Sequence, residues 1–329
     1  MAMVQQNISE VKLERLRKKA QRRMRIAKGI RLGIFGAGTL GTLAWSVYGL
    51  ILVLPAGVSG DFFIGLAAMT LGGILISFLV SLLVYLCVVW IVGKPCDEFA
   101  QNYKNKYVLM KLREFPGFSQ LRYISDRSLP ARELCRACLP SASNQPEIRS
   151  CDYWEGNYDC IRFRAAQLDF SPYQSHIMLF EGQVMIFSLF NERKISETPV
   201  QVLAKRSGEK TKGLTFPHEV QTENETFNQK FSVYAQDEQN AFYILTPRVM
   251  EDIVRFSELI GDKVYLVFSG TSLYVGCAQA ANPFDPKEEL PLEEQVGSIR
   301  LAAEMVRKAR DILIHLEQDR DRTAGDLTT

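Results

Sequence analysis

Residues 62–92 read FFIGLAAMTLGGILISFLVSLLVYLCVVWIV, an unbroken run without a charged side chain. A second uncharged run, residues 32–54, reads LGIFGAGTLGTLAWSVYGLILVL, and Asp61 carries the only charge between the two runs. An α-helix rises about 1.5 Å per residue, so about 20 apolar residues cross the hydrocarbon core of a bilayer. Both runs reach that length and predict a two-helix transmembrane hairpin, with spans at about 32–54 and 66–92.

A buried core helix and a cleaved signal peptide are the two alternative interpretations of these runs. Two adjacent uncharged segments of this length are rare in soluble domains, which disfavours the first alternative. The 31 residues that precede the first run are long for the basic region of a signal peptide, and a second apolar run follows at once. We therefore interpret the hairpin as a retained anchor in the lipid bilayer.

The distribution of basic residues predicts the orientation of this anchor. Residues 55–61, which connect the two runs, contain no lysine or arginine, and Glu10 and Glu14 are the only acidic residues before the first run. Basic residues remain in the cytoplasm, so we predict that both termini are cytoplasmic and that the connecting loop lies outside. The ten basic residues before the first run are Lys12, Arg15, Arg17, Lys18, Lys19, Arg22, Arg23, Arg25, Lys28 and Arg31.

Residues 1–31 are therefore predicted to contain a basic amphipathic helix on the cytoplasmic side. Leu13, Leu16, Ala20, Met24 and Ala27 recur at helical spacing, which suits a helix on the inner leaflet or one paired with another helix. Basic residues at a membrane surface attract anionic lipid by about 1 kcal/mol each, so membrane-surface binding is the predicted role of the ten. Nucleic acid is the poorer alternative because the segment adjoins the membrane, and no nucleic-acid partner is expected.

Small residues repeat every four positions in and before the first run, at Gly29, Gly33, Ala37 and Gly41. Such a ridge on one helix face allows another helix to approach closely, so these four are predicted helix-packing residues. The second span, which has its own glycines, is one candidate partner, and a second copy of the chain is the other. A homo-oligomer is therefore possible.

Residues 94–318 are predicted to form a cytoplasmic α+β domain with a mainly antiparallel sheet, because strands and helices follow each other without a βαβ rhythm. A helix is predicted from Pro247 to Ile260, with Thr246 as its N-cap and Gly261 as its end. A final helix is predicted at 298–318, followed by a disordered tail at 319–329. The predicted strands are 160–168, 176–181, 183–190, 200–205, 230–234, 263–268 and 272–278, with hairpins at Gly182 and at 269–271.

The residues that could carry chemistry are few and poorly arranged. The only histidines, His176, His218 and His315, form no metal or protease motif, and the chain contains no nucleophile elbow. The sequence predicts no cofactor and no metal site, and leaves catalytic residues unknown. Cys135, Cys138, Cys151 and Cys160 could supply four thiolates to zinc, but their spacing is not that of paired zinc knuckles, so metal binding there stays open.

An acidic cluster is the remaining candidate for catalysis. Paired carboxylates could perform hydrolysis or hold a metal ion, but a run of charge is more often a solvated surface. The cluster consists of Glu219, Glu223, Glu225, Asp237 and Glu238.

Residues 231–247, FSVYAQDEQNAFYILTP, are the most distinctive stretch of the chain. We interpret Tyr234, Asp237, Tyr243 and Thr246 as a structural joint or a partner-binding site. Asp237 and Thr246 are predicted to cap the helices that follow them. The apolar residues of the stretch are predicted to be buried; they are Phe231, Val233, Phe242, Ile244 and Leu245.

This stretch, together with Asp152–Gly156 (DYWEG), Phe190–Asn191 and Leu273–Val275, resembles a bacterial membrane-protein family catalogued as domain of unknown function 3137. The resemblance covers residues 9–286. It implies a bacterial source, a multi-pass protein of the cytoplasmic (inner) membrane, and another membrane protein of the LemA type as a partner. It implies no activity and no catalytic residues.

The leading functional hypothesis is a membrane-anchored, non-enzymatic module whose cytoplasmic domain binds a partner protein or a small ligand. The first alternative is a membrane-bound hydrolase that uses the acidic cluster. The second alternative is a lipid-surface sensor that acts through the basic arm, residues 10–31. An exposed apolar patch on the domain would favour the leading hypothesis, and a convergent acidic pocket would favour the hydrolase.

Overall fold

The computed structural model describes residues 9–53, 60–130, 133, 147–171, 180–188, 194–205, 219–261, 264–278 and 281–326. The chain divides into two compact units. The helical unit comprises Ile8–Tyr103 and Pro286–Leu292. The α+β unit comprises chiefly Lys104–Asp285 and Glu293–Thr329.

Two long helices, α1 (Glu10–Val53) and α2 (Gly60–Asn102), contact each other in the helical unit. Gly73 of α2 faces Trp45 of α1, and a Cβ on residue 73 would lie 2.6 Å from Cδ1 of the indole. The basic segment was predicted to be a separate helix. In the structure it forms the first half of α1. No proline interrupts this segment, so the helical hydrogen bonds continue into the apolar run.

Among the described residues, one helical stretch, Leu71–Arg113, is long and apolar enough to cross a membrane. None of the side chains from Leu71 to Val88 is buried within the protein. This observation supports a membrane-associated helix at the second predicted span. It does not extend to the first span.

Among the described residues, the α+β unit contains a sheet of nine strands in the order β1-β2-β3-β4-β9-β8-β5-β7-β6, and the neighbouring strands are antiparallel. The predicted α+β class with an antiparallel sheet is thus confirmed. The strands are β1 (Phe118–Ile124), β2 (Glu147–Tyr158), β3 (Ile161–Ser171), β4 (Phe180–Ser188), β5 (Ser196–Ala204), β6 (Glu219–Val220), β7 (Phe231–Ala235), β8 (Val264–Gly270) and β9 (Ser272–Ala278).

Six further helical segments follow α2 in the described part of the chain. A π-helix, Tyr103–Val108, follows α2 directly and leads into α3 (Leu109–Arg113). The other helices are α4 (Glu225–Lys230), α5 (Glu238–Ile244), α6 (Pro247–Ile260) and α7 (Leu292–Asp326). Residues 319–326, predicted as the start of a disordered tail, are therefore helical. Their side chains make specific contacts, because Asp319 accepts a hydrogen bond from Thr246 at 2.6 Å and Arg320 donates to the carbonyl of Lys194 at 2.8 Å.

The predicted hairpin at residues 269–271 is present between β8 and β9, whereas the predicted hairpin at Gly182 is wrong. β4 runs straight through Gly182, which pairs with Ala278 of β9. A Cβ on residue 182 would lie 2.0 Å from the carbonyl oxygen of Cys277. This glycine is therefore required for close approach of two strands and not for a turn.

Both faces of the central strands are buried. Val184 and Ile186 of β4 lie in a cluster with Tyr153, Leu203 and other residues. Phe187 points to the opposite face, where its ring centroid lies 6.2 Å from that of Phe163. Trp154 and Phe284 extend that second cluster by edge-to-face contact at 5.7 Å. Because both faces are buried, these strands have few exposed residues and do not show a regular alternation of buried and exposed positions.

Helix α7 connects distant parts of the α+β unit through polar contacts along its length. Ser298 donates to the carbonyl of Pro283 at 2.9 Å, and Arg310 pairs with Asp159 in the β2–β3 turn at 3.6 Å. His315 contacts Asp252 of α6 through its Nδ1. Its apolar stripe is buried at helical spacing and includes Ile299, Ala302, Val306, Ala309, Leu313 and Leu316.

Candidate functional site

Asp152 is a fully buried carboxylate at an irregularity of β2. Its side chain has no solvent exposure, and its φ is +53°. The pairing of β2 with β3 shifts between Cys151 and Trp154, so two residues of β2 stand opposite one residue of β3. Such a bulge redirects a side chain from the regular alternation, and aspartate is one of the few residues that tolerates a left-handed backbone.

Three side chains from other segments donate hydrogen bonds to this carboxylate. Tyr123 of β1 donates to Oδ1, and both Lys104 of the π-helix, at 2.9 Å, and Asn282 donate to Oδ2. Asn282 and Asp285 lie in the turn that follows β9. We refer to Lys104, Tyr123, Asp152, Asn282 and Asp285 as the Asp152 cluster. It joins four segments that are far apart in sequence, and one of them is a π-helix, a conformation that is often found at functional sites.

The ammonium group of Lys104 lies between two carboxylates. Its Nζ is 2.9 Å from Oδ2 of Asp152 and 2.7 Å from Oδ1 of Asp285. Burial by itself lowers the pKa of Lys104, but the hydrogen bonds to Asp152 and Asp285 outweigh burial, so the pKa of Lys104 is raised. The lysine therefore stays charged at neutral pH and supplies the positive charge that a bound cation would otherwise provide between these two acids.

The reactive groups beside Asp152 are held in their protonated forms. Partial burial, followed by the nearby charge of Asp152, raises the pKa of the Cys151 thiol to about 12. Burial and the same carboxylate raise the pKa of Tyr123 far above its ordinary value. A thiol acts as a nucleophile only as the thiolate, so Cys151 has little nucleophilic character at neutral pH. The arrangement is suited to holding segments together rather than to acid–base or nucleophilic catalysis.

Sequence reasoning did not identify Asp152 as a site. The residue stands in the DYWEG segment, but its partners are 48, 29 and 130 positions away in the chain. Neither spacing nor composition relates residues at such separations. The only signal was the place of this segment in the family resemblance.

The predicted joint at residues 231–247 is built largely as expected. Asp237 accepts a hydrogen bond from the backbone N–H of Gln239 at 3.0 Å and caps α5. Thr246 accepts from the N–H of Val249 at 3.3 Å and caps α6. Tyr234 is buried in β7 against the cluster that contains Leu203. The predicted caps at Asp237 and Thr246 are thus confirmed.

Phe242 is the exception in this stretch, because it was predicted to be buried and is 46% exposed. Phe231, Val233, Ile244 and Leu245 are buried as predicted. Helix α5 has fewer than two full turns, and its inner face is taken by Ala241 and Ile244. Phe242 therefore faces outward beside Tyr243, which is 44% exposed and lies under the guanidinium of Arg320 at 5.0 Å. The two rings form an exposed aromatic pair.

The predicted membrane-surface residues of α1 are not equivalent in the structure. Arg17 is only 5% exposed, pairs with Glu14 at 2.5 Å, and donates to the carbonyl of Glu288 at 2.7 Å. Its charge is used inside the helical unit, so the prediction of a surface role for Arg17 is wrong. The exposed basic residues of the arm are Lys12, Arg15, Lys18, Lys19, Arg22, Arg23, Arg25 and Lys28; Arg31 continues the helix.

The three glycines of the small-residue ridge have no close neighbour among the described residues of α2. A Cβ added to Gly29, Gly33 or Gly41 would have no neighbour within 4 Å, and all three glycines are exposed. Ala37, whose side chain is not described, lies between them on the same helix. The close approach of α1 and α2 instead occurs where Trp45 covers Gly73. The second span was one of the two predicted partners of the ridge, and it does not pack against these three glycines.

The acidic cluster does not converge on one point. Glu219 lies on the edge strand β6, 3.6 Å from Lys205, whereas Asp237 is occupied as a helix cap. Glu225 stands in the first turn of α4. Within the described part of the chain, no group of three or more His, Cys, Asp or Glu side chains is arranged to hold a metal ion.

Two of the four cysteines considered for zinc, Cys151 and Cys160, lie far apart in the structure. Cys151 pairs with Gln167 near the start of the β2–β3 ladder, and Cys160 lies in the turn at its other end. Strands rise about 3.3 Å per residue, so these thiols are separated by roughly 20 Å and cannot share one ion. Cys135 and Cys138, like His176 and His218, lie outside the described residues.

In its described residues the chain is an α+β protein with a nine-stranded antiparallel sheet, a buried charged cluster, and one helix that is apolar enough to cross a membrane. Residues 178–316 match the model of the family described as protein of unknown function (DUF3137). The predicted resemblance is thereby confirmed over the second half of the chain. No curated protein and no solved structure matches the chain.

Proposed function

We propose that this protein is a membrane-anchored module whose α+β unit binds a partner protein on the cytoplasmic side of the bacterial inner membrane. The observation that carries the proposal is the apolar stretch Leu71–Val88 of α2, in which no side chain is buried within the protein. Water contact with apolar surface costs roughly 25 cal/mol per Å², so such a helix requires an apolar environment. The α+β unit begins at Lys104, directly after the last residues of that helix.

The anchor is proposed to consist of both apolar runs. Helix α1 contacts α2. The apolar half of α1 begins at Leu32 and leads to residues 54–59, the short stretch of sequence that connects the two helices. The basic residues lie before the first run and after the second, and residues 55–61 between the two runs contain none. This charge asymmetry supports a multi-pass anchor with both termini in the cytoplasm.

Fusion of alkaline phosphatase after Thr329 is expected to give no activity in bacterial cells, because the enzyme folds only in the periplasm and we place this terminus in the cytoplasm. The same enzyme inserted within residues 55–59 is expected to be active. Protein levels of both fusions are compared by immunoblot. An active fusion at Thr329 would reverse the proposed topology, and a silent insertion at 55–59 would argue against a hairpin.

Partner binding is supported by the exposed aromatic pair. Phe242 and Tyr243 lie in the most distinctive stretch of the sequence and project from a short, doubly capped segment. Aromatic residues are strongly enriched among the few residues that carry most of the energy of protein interfaces. The membrane protein of the LemA type that the family resemblance implies is the first partner to test.

The hydrolase alternative has less support. The acidic cluster is dispersed over β6, α4 and the N-terminus of α5, and Asp237 already serves a structural role. General acid–base chemistry requires groups within hydrogen-bond reach of one reacting atom. Nothing in this arrangement of the described residues provides that.

Replacing Phe242 by serine is expected to reduce recovery of a co-purifying protein from detergent-solubilised membranes at least tenfold, because truncation of an aromatic interface residue typically costs 2 kcal/mol or more. Leu259→Ser is the matched control, since Leu259 is a 38% exposed apolar residue on α6. The amount of each co-purifying protein per mole of chain is measured by quantitative mass spectrometry. Equal losses in both variants, or no selective co-purification by the unaltered chain, would contradict partner binding at this pair.

A further inference from the structure

One short segment of chain, Pro286–Leu292, belongs to the helical unit although it lies between two parts of the α+β unit. The chain leaves the α+β unit after Asp285 and returns to it at Glu293. We refer to Pro286–Leu292 as the strap. Its last residue, Leu292, is also the first residue of α7. Whatever holds or releases the strap therefore acts directly on the start of α7.

The guanidinium group of Arg17 in α1 holds the strap. Its Nη1 donates to the carbonyl oxygen of Glu288 at 2.7 Å, and its Nε and Nη2 donate to the two carboxylate oxygens of Glu14 at 2.9 and 2.5 Å. The backbone N–H of Leu292 donates to the same carboxylate. The Glu14–Arg17 pair thus binds the strap at two points, one through each member of the pair.

This buried pair differs from a second ion pair on the strap. Arg17 is buried, whereas Lys28 and Glu289, which lie 3.1 Å apart, are both exposed. An exposed pair contributes about 0–1 kcal/mol to stability, but a hydrogen bond to a charged group contributes about 1.5–3 kcal/mol. The hydrogen bond from Arg17 also lowers the pKa of Glu14, against the opposing effect of partial burial, so this carboxylate is charged at neutral pH. The stronger hold on the strap is therefore at Glu14 and Arg17.

Much of the strap is accessible to solvent. Lys287, Glu289, Leu290 and Pro291 are exposed, and Pro286 and Pro291 have no backbone N–H to donate. Segments with few buried apolar side chains and exposed backbone hydrogen bonds open locally at a lower free-energy cost than global unfolding. The strap is consequently expected to open more readily than the buried strands of the sheet.

We propose that the strap is a latch, which opens from α1 without unfolding of either unit and whose equilibrium is set by the Glu14–Arg17 pair. In the closed state the start of α7 is tied to α1. In the open state this tie is lost, while the chain connection from α2 to the α+β unit at Tyr103–Lys104 is unchanged. Arg17 is thus a positioning residue. The latch goes beyond the proposed function, because any ligand or partner that prefers one state shifts this equilibrium.

The test measures amide hydrogen exchange of the full-length chain in detergent micelles by mass spectrometry. In Arg17→Gln, peptides that cover residues 286–296 are expected to exchange at least tenfold faster, a factor that corresponds to about 1.4 kcal/mol and to the loss of one charged hydrogen bond. Peptides from β3 and β4 are expected to exchange as in the unaltered chain. Glu14→Gln is expected to act like Arg17→Gln, and the double variant is expected to add little, because the two residues act as a pair.

Arg15→Gln is the matched control, since Arg15 is an exposed arginine two positions away on the same helix. It is expected to change the exchange of residues 286–296 less than twofold. Arg17→Lys keeps the charge but not the planar fork of donors, so an intermediate increase is expected. Unchanged exchange of residues 286–296 in Arg17→Gln, or an equal increase in Arg15→Gln, would overturn the latch. An increase of the same size in the peptides of β3 and β4 would also overturn it, because Arg17 would then support the whole fold.

Discussion

Replacement of Asp152 by alanine is expected to lower the free energy of unfolding of the α+β unit by about 3–5 kcal/mol. The substitution removes the acceptor of the three hydrogen bonds that other segments donate, and it leaves the half-buried ammonium of Lys104 without its deepest partner. Alanine also tolerates the left-handed backbone at this position less well than aspartate does. In thermal unfolding of the full-length chain, we expect a decrease in Tm of about 10 °C.

Asp237 offers a matched control, because it is an aspartate of the same unit that acts as a helix cap at the surface. Asp237→Ala is expected to cost about 1 kcal/mol, and Asp237→Asn is expected to be nearly neutral because asparagine caps almost as well. An Asp152→Ala variant that loses no more stability than Asp237→Ala would show that the cluster does not lock the fold. If Asp237→Asn instead abolished partner capture in a folded protein, the acidic cluster would become the first place to search for chemistry.

Replacement of Gly182 by alanine is expected to cost about 3 kcal/mol or more. A Cβ at this position would lie 2.0 Å from the carbonyl oxygen of Cys277 and 2.9 Å from Cα of Ala278. Overpacking usually costs about 1–3 kcal/mol, and here both obstacles are backbone atoms that cannot rotate away. Relief requires that β4 and β9 separate, and this pairing joins β1–β4 to the rest of the sheet. The expected result is a decrease in Tm of about 6–12 °C.

The control for this substitution is Gly297→Ala. Gly297 lies in α7, is exposed, and has no atom within 4 Å of the position of an added Cβ. Because glycine is a poor helix residue, alanine is expected to stabilise the protein by about 0.5–1 kcal/mol. A Gly182→Ala variant with an unchanged Tm would mean that the strands adjust without cost, and the close approach would then carry no energetic weight.

Local rules were sufficient where a structural feature depends on neighbouring residues. Thr246-Pro247 predicted the start of α6 and Gly261 its end, because an N-cap, a first-turn proline and a left-handed C-cap act within one helical turn. The β8–β9 hairpin followed from two apolar stretches around Ser269–Thr271. The length of the apolar run at 62–92 predicted a helix fit for a membrane in the same way.

Local rules failed where a distant segment determined the outcome. Gly182 was interpreted as a turn, but the reason for the glycine is the backbone of β9, almost a hundred residues later. The tail after Asp319 was predicted to be disordered from its polarity. It is helical, and its contacts with Thr246 and with the carbonyl of Lys194 are made to residues that no pattern links to it. Phe242 was predicted to be buried from its type alone, but helix α5 has only one inner face.

The sequence by itself determined the apolar helix, the α+β class, the helix caps and the resemblance to a known family, because each of these is encoded by composition, by periodicity or by residues close together in the chain. Within the described residues, the tertiary structure alone determined the order of the nine strands and the assembly of the Asp152 cluster. Each of these depends on side chains that meet only after the chain has folded. A charge on Lys104 or Asp152 has the same chemistry in any sequence, and its role is fixed by which partner the fold places within hydrogen-bond distance.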